Sequence, residues 1–205
     1  MRLYTTPMAP NALRVVMLLR EKQLNIPLVN VDLSTPQSKE AYRAINPLAQ
    51  VPALELDDGT YLSESLTICQ YLDTASGSPY LFGESLTERT QIAMWERRAE
   101  LSLFIPAIEY GHHTHPMMRN AFQQFPVWAQ TQLPKIKAFY ALMHERLSAH
   151  EFLAGNSFSV ADITAYIGGS AAMFFGIPAP SSDAIAAWQA RIAARESAQN
   201  LFSAS

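Results

Sequence analysis

Cysteine is almost missing from this chain: Cys69 is the only one in 205 residues. One thiol forms no internal disulfide, which excludes the disulfide-stapled secreted folds and gives no sign of an oxidising compartment. Net charge is small as well. The formal value is −3 at pH 7 with no basic run, so the long-range attraction that nucleic acids or anionic membranes need is not there. Long hydrophobic runs are also lacking. The most apolar stretch, Ile163 to Ile177, is interrupted by Thr164, Gly168, Gly169 and Ser170, and it falls short of the ~20 residues that span a bilayer. The opening Met1-Arg2-Leu3-Tyr4-Thr5-Thr6-Pro7 has no signal-peptide core. No internal repeat or low-complexity segment stands out. The expectation is a cytoplasmic globular protein without nucleic-acid or membrane partners, and 49% hydrophobic residues are enough to fill one large core or two small ones.

The stretch around which the chain is organised runs from Asn46 to Tyr71, NPLAQVPALELDDGTYLSESLTICQY. A Val51-Pro52 bond in the cis form, cheap only before proline, would turn the Val51 amide and carbonyl outward as an unpaired edge for an extended peptide. Ala53 to Leu56 and Thr60 to Leu62 flank an Asp58-Gly59 turn and read as a hairpin. That hairpin delivers Glu64 and Ser65 to a helix start, where free N–H groups and the helix dipole favour a carboxylate. The Ser65 hydroxyl adds a donor, and Glu64 would hold an ammonium group beside it. Such a pair recognises the α-end of an amino acid. Read structurally, Ser65 is a helix cap.

Elsewhere, Arg2 to Thr5 reads as a first strand, and Asn11 caps a helix running to about Lys22 with Val15, Val16, Leu18 and Leu19 inside. Val29, Val31 and Leu33 form a second strand, parallel to the first through a right-handed crossover. A helix from about Gln37 to Ile45 precedes the hairpin, and Ser65 to Thr74 closes the unit on Leu66, Cys69 and Leu72. Turn residues from Gly77 to Gly83 mark a linker. The remainder reads as helical. Ser85 and Glu88 form a capping box before Ile92, Trp95, Ala99 and Leu103, and Pro106 kinks or ends that helix. A further helix lies between Trp128 and His150, broken by Gly155, with Ile136, Phe139, Tyr140, Met143 and Leu147 on one face. Ser159 and Asp162 cap the next helix reciprocally, and a last one spans about Ile185 to Arg195. The domain division expected is 1–78 and 84–205.

The ordered set Gln50, Val51, Pro52, Glu64 and Ser65 resembles the glutathione site of the glutathione transferase family. The resemblance implies a thioredoxin-like α/β domain followed by an all-α helical domain, glutathione as co-substrate, no metal, and a two-fold homodimer. It gives Gln50, Val51 and Pro52 to the cysteinyl and glycyl parts of glutathione, and Glu64 and Ser65 to its γ-glutamyl end. Lys39 reaches for the glycyl carboxylate, although a solvated lysine is the default. The Ser159-x-x-Asp162 box resembles a folding motif of the helical domain, so both residues are read as structural.

Glutathione transfer needs the thiolate, because a free thiol is mostly protonated at neutral pH. Many family members carry Tyr, Ser or Cys between the first strand and first helix, whereas this loop reads Thr5-Thr6-Pro7-Met8-Ala9-Pro10-Asn11 with Ala9 in the serine's place. Tyr4 lies within the strand and is read as packing. The remaining donors are Asn11 at a helix N-terminus, the Thr5 and Thr6 hydroxyls, and a histidine of Glu109-Tyr110-Gly111-His112-His113-Thr114-His115-Pro116. The segments MWERRAEL, EYGHHTHP and FLAGNSFSVADIT, with Ala9, resemble a fungal and bacterial subgroup that lacks the Tyr, Ser or Cys residue. In that subgroup the helix N-terminus and a water held by the helical domain are thought to polarise the thiol. His112 takes the histidine's part, while Ile108 stands where a partnering hydroxyl would be. Asn11 and His112 are therefore the catalytic candidates. Met8, Tyr110, His113, Met117 and Phe174 are the expected lining of a hydrophobic-substrate pocket between the halves, although Met and aromatic residues at helical spacing are more often core.

The function expected is conjugation of glutathione to small hydrophobic electrophiles. Its rivals are a glutathione-dependent disulfide reductase or peroxidase, and a transferase-like interaction module that has lost catalysis. Zinc at the histidines lacks the thiolates and carboxylates that would complete a site.

Overall fold

The structure is a computed structural model that describes residues 1–202. It divides into two compact units, Met1–Tyr80 together with the segment beginning at Arg195, and Leu81–Ala194.

The first unit holds a four-stranded sheet in the order β2-β1-β3-β4, with β1 at Arg2–Thr5, β2 at Leu28–Asn30, β3 at Ala53–Glu55 and β4 at Tyr61–Ser63. Strands β1 and β2 are parallel, and helix α1 (Pro10–Glu21) crosses between them; β3 and β4 are antiparallel. In the register of β1 and β3, Leu3 faces Leu54 and Tyr4 faces Ala53. Because side chains alternate along a strand, Leu3 and Leu54 share one face and Tyr4 and Ala53 the other. Tyr4 and Ala53 are buried with Tyr42 of α2 (Pro36–Tyr42), and Val29, Val31, Leu33, Ile45 and Val51 pack around them. Helix α3 (Ser65–Ser76) pairs with α1 and buries Ile68, Cys69 and Leu72.

Several sequence readings are corrected here. Strand β2 stops at Asn30, so Val31 and Leu33 pack beyond its end. On α1, Met17 is buried and Val16 only partly; on α3, Leu66 is only partly buried. Asn11 does not cap α1: the cap position is Ala9, with no side-chain bond, and Pro10 opens the helix. Proline suits that position because its missing N–H has no partner inside the helix anyway. Residues 195–202, expected in the second domain, gather instead with the first unit. The Arg195 guanidinium donates to both Glu21 carboxylate oxygens at 2.7 and 2.8 Å, Ser197 Oγ donates to the same carboxylate, and Arg20 donates to the Gln199 carbonyl.

The second unit is helical. Helix α4 (Leu86–Ala99) starts at Ser85, whose hydroxyl accepts the Glu88 amide at 3.2 Å. Pro106 neither ends nor simply kinks it. A π-helical turn at Glu100–Phe104 joins α4 to α5 (Ile105–Thr114), with the Ile105 N–H reaching back to the Glu100 carbonyl. The wider turn carries the chain past the carbonyl with which the proline ring would clash in an α-helix. The helix expected near Trp128 to His150 is two, α6 (Pro126–Gln130) and α7 (Leu133–Leu147), because Pro134 starts a new helix. Its five expected core residues are buried.

Helix α8 (Val160–Phe174) carries the reciprocal box at Ser159 and Asp162, and α9 (Asp183–Ala193) follows. The fully buried Asp162 carboxylate accepts the Leu153 amide at 3.0 Å, the Ser159 amide and hydroxyl at 3.1 and 3.0 Å, and the Trp188 indole at 2.9 Å. Burial holds this carboxyl above its ordinary value while the four donors pull it down. No helix among the described residues is long and apolar enough to cross a membrane.

Candidate glutathione site

Sheet register brings the site together. Tyr4 opposite Ala53 puts the end of β1 beside Pro52, and Ala53 opposite Ser63 puts Pro52 beside Glu64 and Val51 level with Ser65. The loop 46–50 is held by buried Asn46, whose Nδ2 donates to the Gln50 carbonyl at 2.7 Å and whose Oδ1 accepts the Leu48 amide at 3.1 Å. The Gln50 side chain is left exposed. The Val51-Pro52 bond is cis, and among the described residues no backbone group pairs with the Val51 amide or carbonyl.

Glu64 sits at the cap position of α3 with φ 67° and ψ 112° and makes no side-chain capping bond. For a residue with a Cβ this backbone is strained by about 1–3 kcal/mol, and such strain gathers at ligand clamps. Ser65 follows, 4% exposed. Its hydroxyl donates to Asn11 Oδ1 at 3.1 Å, and the same oxygen accepts Arg14 Nη2 at 2.7 Å. Asn11 thus stands at the second position of α1, touching the start of α3. With Ala9 making no cap bond and the first backbone bond into the helix coming from the Leu13 N–H, the Asn11 and Ala12 amides have no backbone partner among the described residues, as expected at a helix N-terminus. An anion brought to this end of the sheet meets two helix N-termini.

The other donors near the loop are occupied. Thr6 Oγ1 donates to the Val31 carbonyl at 2.7 Å, and Thr5 Oγ1 leans on the Thr6 carbonyl at 3.4 Å. Tyr4 Oη donates to Glu55 at 2.7 Å, and this bond raises the phenol's pKa, the opposite of what a thiol-activating tyrosine needs. Lys39 is exposed on α2.

In the second unit the histidines gather against aromatic rings. His112 stacks on Phe122 with centroids 4.0 Å apart, His113 lies near Phe125, and His115 touches Phe174 and Phe175. Burial lowers the His112 pKa from its ordinary value, outweighing the pull of Glu109. His113 accepts the Phe125 amide at 3.3 Å. Of the residues expected to line a pocket, Tyr110 and His113 are on α5, Met117 follows it at 72% exposure, and Phe174 ends α8 at 58%; Met8 is exposed in the first unit. The Gln124 amide, which carries no motif, bridges the His112 and His115 carbonyls at 3.0 and 2.9 Å. Among the described residues no group of three or more His, Cys, Asp or Glu is placed to hold a metal ion.

The family models for the glutathione S-transferase N-terminal and C-terminal domains match residues 9–75 and 111–196. Glutathione S-transferase 2 of Saccharomyces cerevisiae is 33% identical over 98% of this chain and 89% of its own length. The chain belongs to the glutathione transferase family. It is an enzyme of that family by relatives and by fold. The crystal structure of a glutathione S-transferase domain-containing protein from Marinobacter aquaeolei superimposes at TM-score 0.90 with 40% identity, covering 97% of this chain and all of that one. Gtt2 of Saccharomyces cerevisiae gives 0.89 with 33% identity over 98% of this chain and all of its own. The thioredoxin-like unit followed by helices is the transferase fold. Arg14 and Asn46, the residues that hold Asn11 and the Gln50 loop, escape a reading of the sequence. A polar residue three positions after Asn11 is the only signal for the first, and none marks the second.

Proposed function

We propose that this protein conjugates the thiolate of glutathione to small hydrophobic electrophiles. The observation that carries the reading is the convergence of Asn11, the unpaired Val51 backbone, strained Glu64 and buried Ser65 at one end of the sheet. Val51 pairs with the extended cysteinyl backbone, with Gln50 and Pro52 beside it, and Lys39 takes the glycyl carboxylate. Glu64 holds the γ-glutamyl ammonium, and Ser65 with the α3 N-terminus holds its carboxylate. The thiolate is favoured by the open N-terminus of α1 and the Asn11 amide, and His112 is the residue proposed to hold a water. Met8 in the first unit, and Tyr110, His113, Met117 and Phe174 in the second, are the side chains proposed for the electrophile.

We place the enzyme in the cytoplasm as a homodimer. Support for pairing comes from exposed Met94, Leu101 and Ile105 in the second unit. In the first, an open, largely apolar depression of about 420 Å³ is lined by Leu62, Thr67, Gln70, Tyr71, Thr74 and Ala75. Steady-state assays with an aryl halide, an epoxide, a hydroperoxide and a glutathione mixed disulfide test the chemistry. Conjugation of the first two is the expected result. Turnover of only the last two would replace transferase by disulfide or peroxide reduction, a reading that Ala9 does not oppose, since glutathione itself supplies both sulfurs.

A further inference from the structure

Arg14 is 3% exposed, on the first turns of α1, and its Nη2 donates to Asn11 Oδ1 at 2.7 Å. The Ser65 hydroxyl donates to the same oxygen at 3.1 Å. A guanidinium has donors only, so the Asn11 amide presents its oxygen to Arg14 and turns its NH2 the other way. We propose that Arg14 is a positioning residue for thiol activation: it fixes the rotamer of Asn11 so that the Nδ2–H group, and not the carbonyl oxygen, meets the glutathione sulfur. This rests on the glutathione reading above.

The two donors on Asn11 differ in permanence. Serine has one hydroxyl proton, and a γ-glutamyl carboxylate arriving at the α3 N-terminus competes for it. Once Ser65 turns to the ligand, Arg14 alone opposes a flip of the Asn11 amide. A flipped amide would set Nδ2–H against guanidinium N–H and aim a carbonyl lone pair at the thiolate, which raises its pKa. Occupation of the γ-glutamyl end therefore makes the Arg14 bond decisive at the moment when the thiol needs its donor.

The test follows the thiolate ultraviolet absorbance of bound glutathione against pH, with its dissociation constant measured in parallel, on the full chain. Wild type, R14M, N11A and R14M/N11A form a cycle, with R14K and N11D as folding-tolerant companions. We expect N11A and R14M each to cut the thiolate fraction about tenfold at a pH below the thiol pKa, which corresponds to a thiol pKa higher by about one, and the double variant to equal N11A. R14K, still a donor, raises it less than R14M. N11D keeps an acceptor for Arg14 but loses the amide donor, and raises the thiol pKa although its fold is preserved. An R14M thiol pKa at the wild-type value overturns the proposal. So does an equal R14M effect in the N11A background, which would mean that Arg14 acts on the sulfur by charge, and so does an N11D thiol pKa at the wild-type value. Wild type that binds no glutathione overturns the underlying reading instead, before any variant is compared.

Discussion

Glu64 carries two burdens that separate on mutation. Its strained backbone sets the start of α3, and its carboxylate is left without a capping bond. Glu64→Gln keeps shape and removes charge, so a charge-assisted bond to the γ-glutamyl ammonium, worth about 1.5–3 kcal/mol, is lost. Calorimetric titration should show glutathione affinity down by one to two decades with unfolding temperature unchanged; equal affinity would remove Glu64 from the site. His112 titrates visibly for a different reason. Burial lowers its pKa below 6.5, with Glu109 opposing and His113 reinforcing. The unfolded chain therefore takes up the proton first, so the stability present above pH 6.5 is lost as pH falls through the folded value. An imidazole NMR midpoint below 6.5 is expected, and His112→Phe should flatten the acid side of the stability curve. A midpoint at or above 6.5 would contradict the burial argument. The hairpin that carries Gln50 and Val51 to one side and Glu64 and Ser65 to the other is legible in sequence because its two strands lie within one short contiguous stretch. Arg14 and Asn46 are not, since a buried polar residue shows its purpose only through partners that folding supplies.

Among the elements, the helix starts with paired polar signals are readable. Ser85 and Ser159 both sit at the expected cap positions, because their partners lie three residues on: the Ser85 hydroxyl accepts the Glu88 amide, and the Asp162 carboxylate accepts the Ser159 amide and hydroxyl. The start of α1 misleads for the converse reason: Asn11 has a better partner in Arg14 than in its own backbone. Asp162 extends the local box into the core by adding the Leu153 amide and the Trp188 indole. Asp162→Ala leaves several buried donors unpaired and should cost at least about 3 kcal/mol in urea unfolding. A loss under about 1 kcal/mol would mean that water replaces the carboxylate. Pro106 reads as a kink or an end of the helix because the proline clash is visible in sequence and the π turn that relieves it is not. That turn packs tightly: a Cβ on Gly168 would lie 2.9 Å from the Phe104 Cα. Backbone cannot yield as a side-chain tip does, so Gly168→Ala should destabilise by about 1–3 kcal/mol despite alanine's better helix propensity. A raised melting temperature would show that α8 has room.

On the scale of the molecule, the division into an α/β and a helical unit is legible from the change of hydrophobic period and the turn-rich stretch between them. The return of the C-terminal segment to the first unit is not, because it depends on Glu21 meeting Arg195 and Ser197 across most of the chain's length. The proposed dimer predicts a sedimentation mass of two 22.8 kDa chains, and Tyr71→Glu should shift it toward one. A single-chain mass in the wild type would remove the dimer. The central claim, a glutathione site that activates the thiol without Tyr, Ser or Cys in the first loop, is tested most directly by titrating glutathione into the wild type and following thiolate absorbance against pH. Saturable binding with a thiol pKa below that of free glutathione, abolished by Glu64→Ala with Ser65→Ala, is the predicted result. Absence of binding at millimolar glutathione, or binding with the free thiol's pKa, would contradict it.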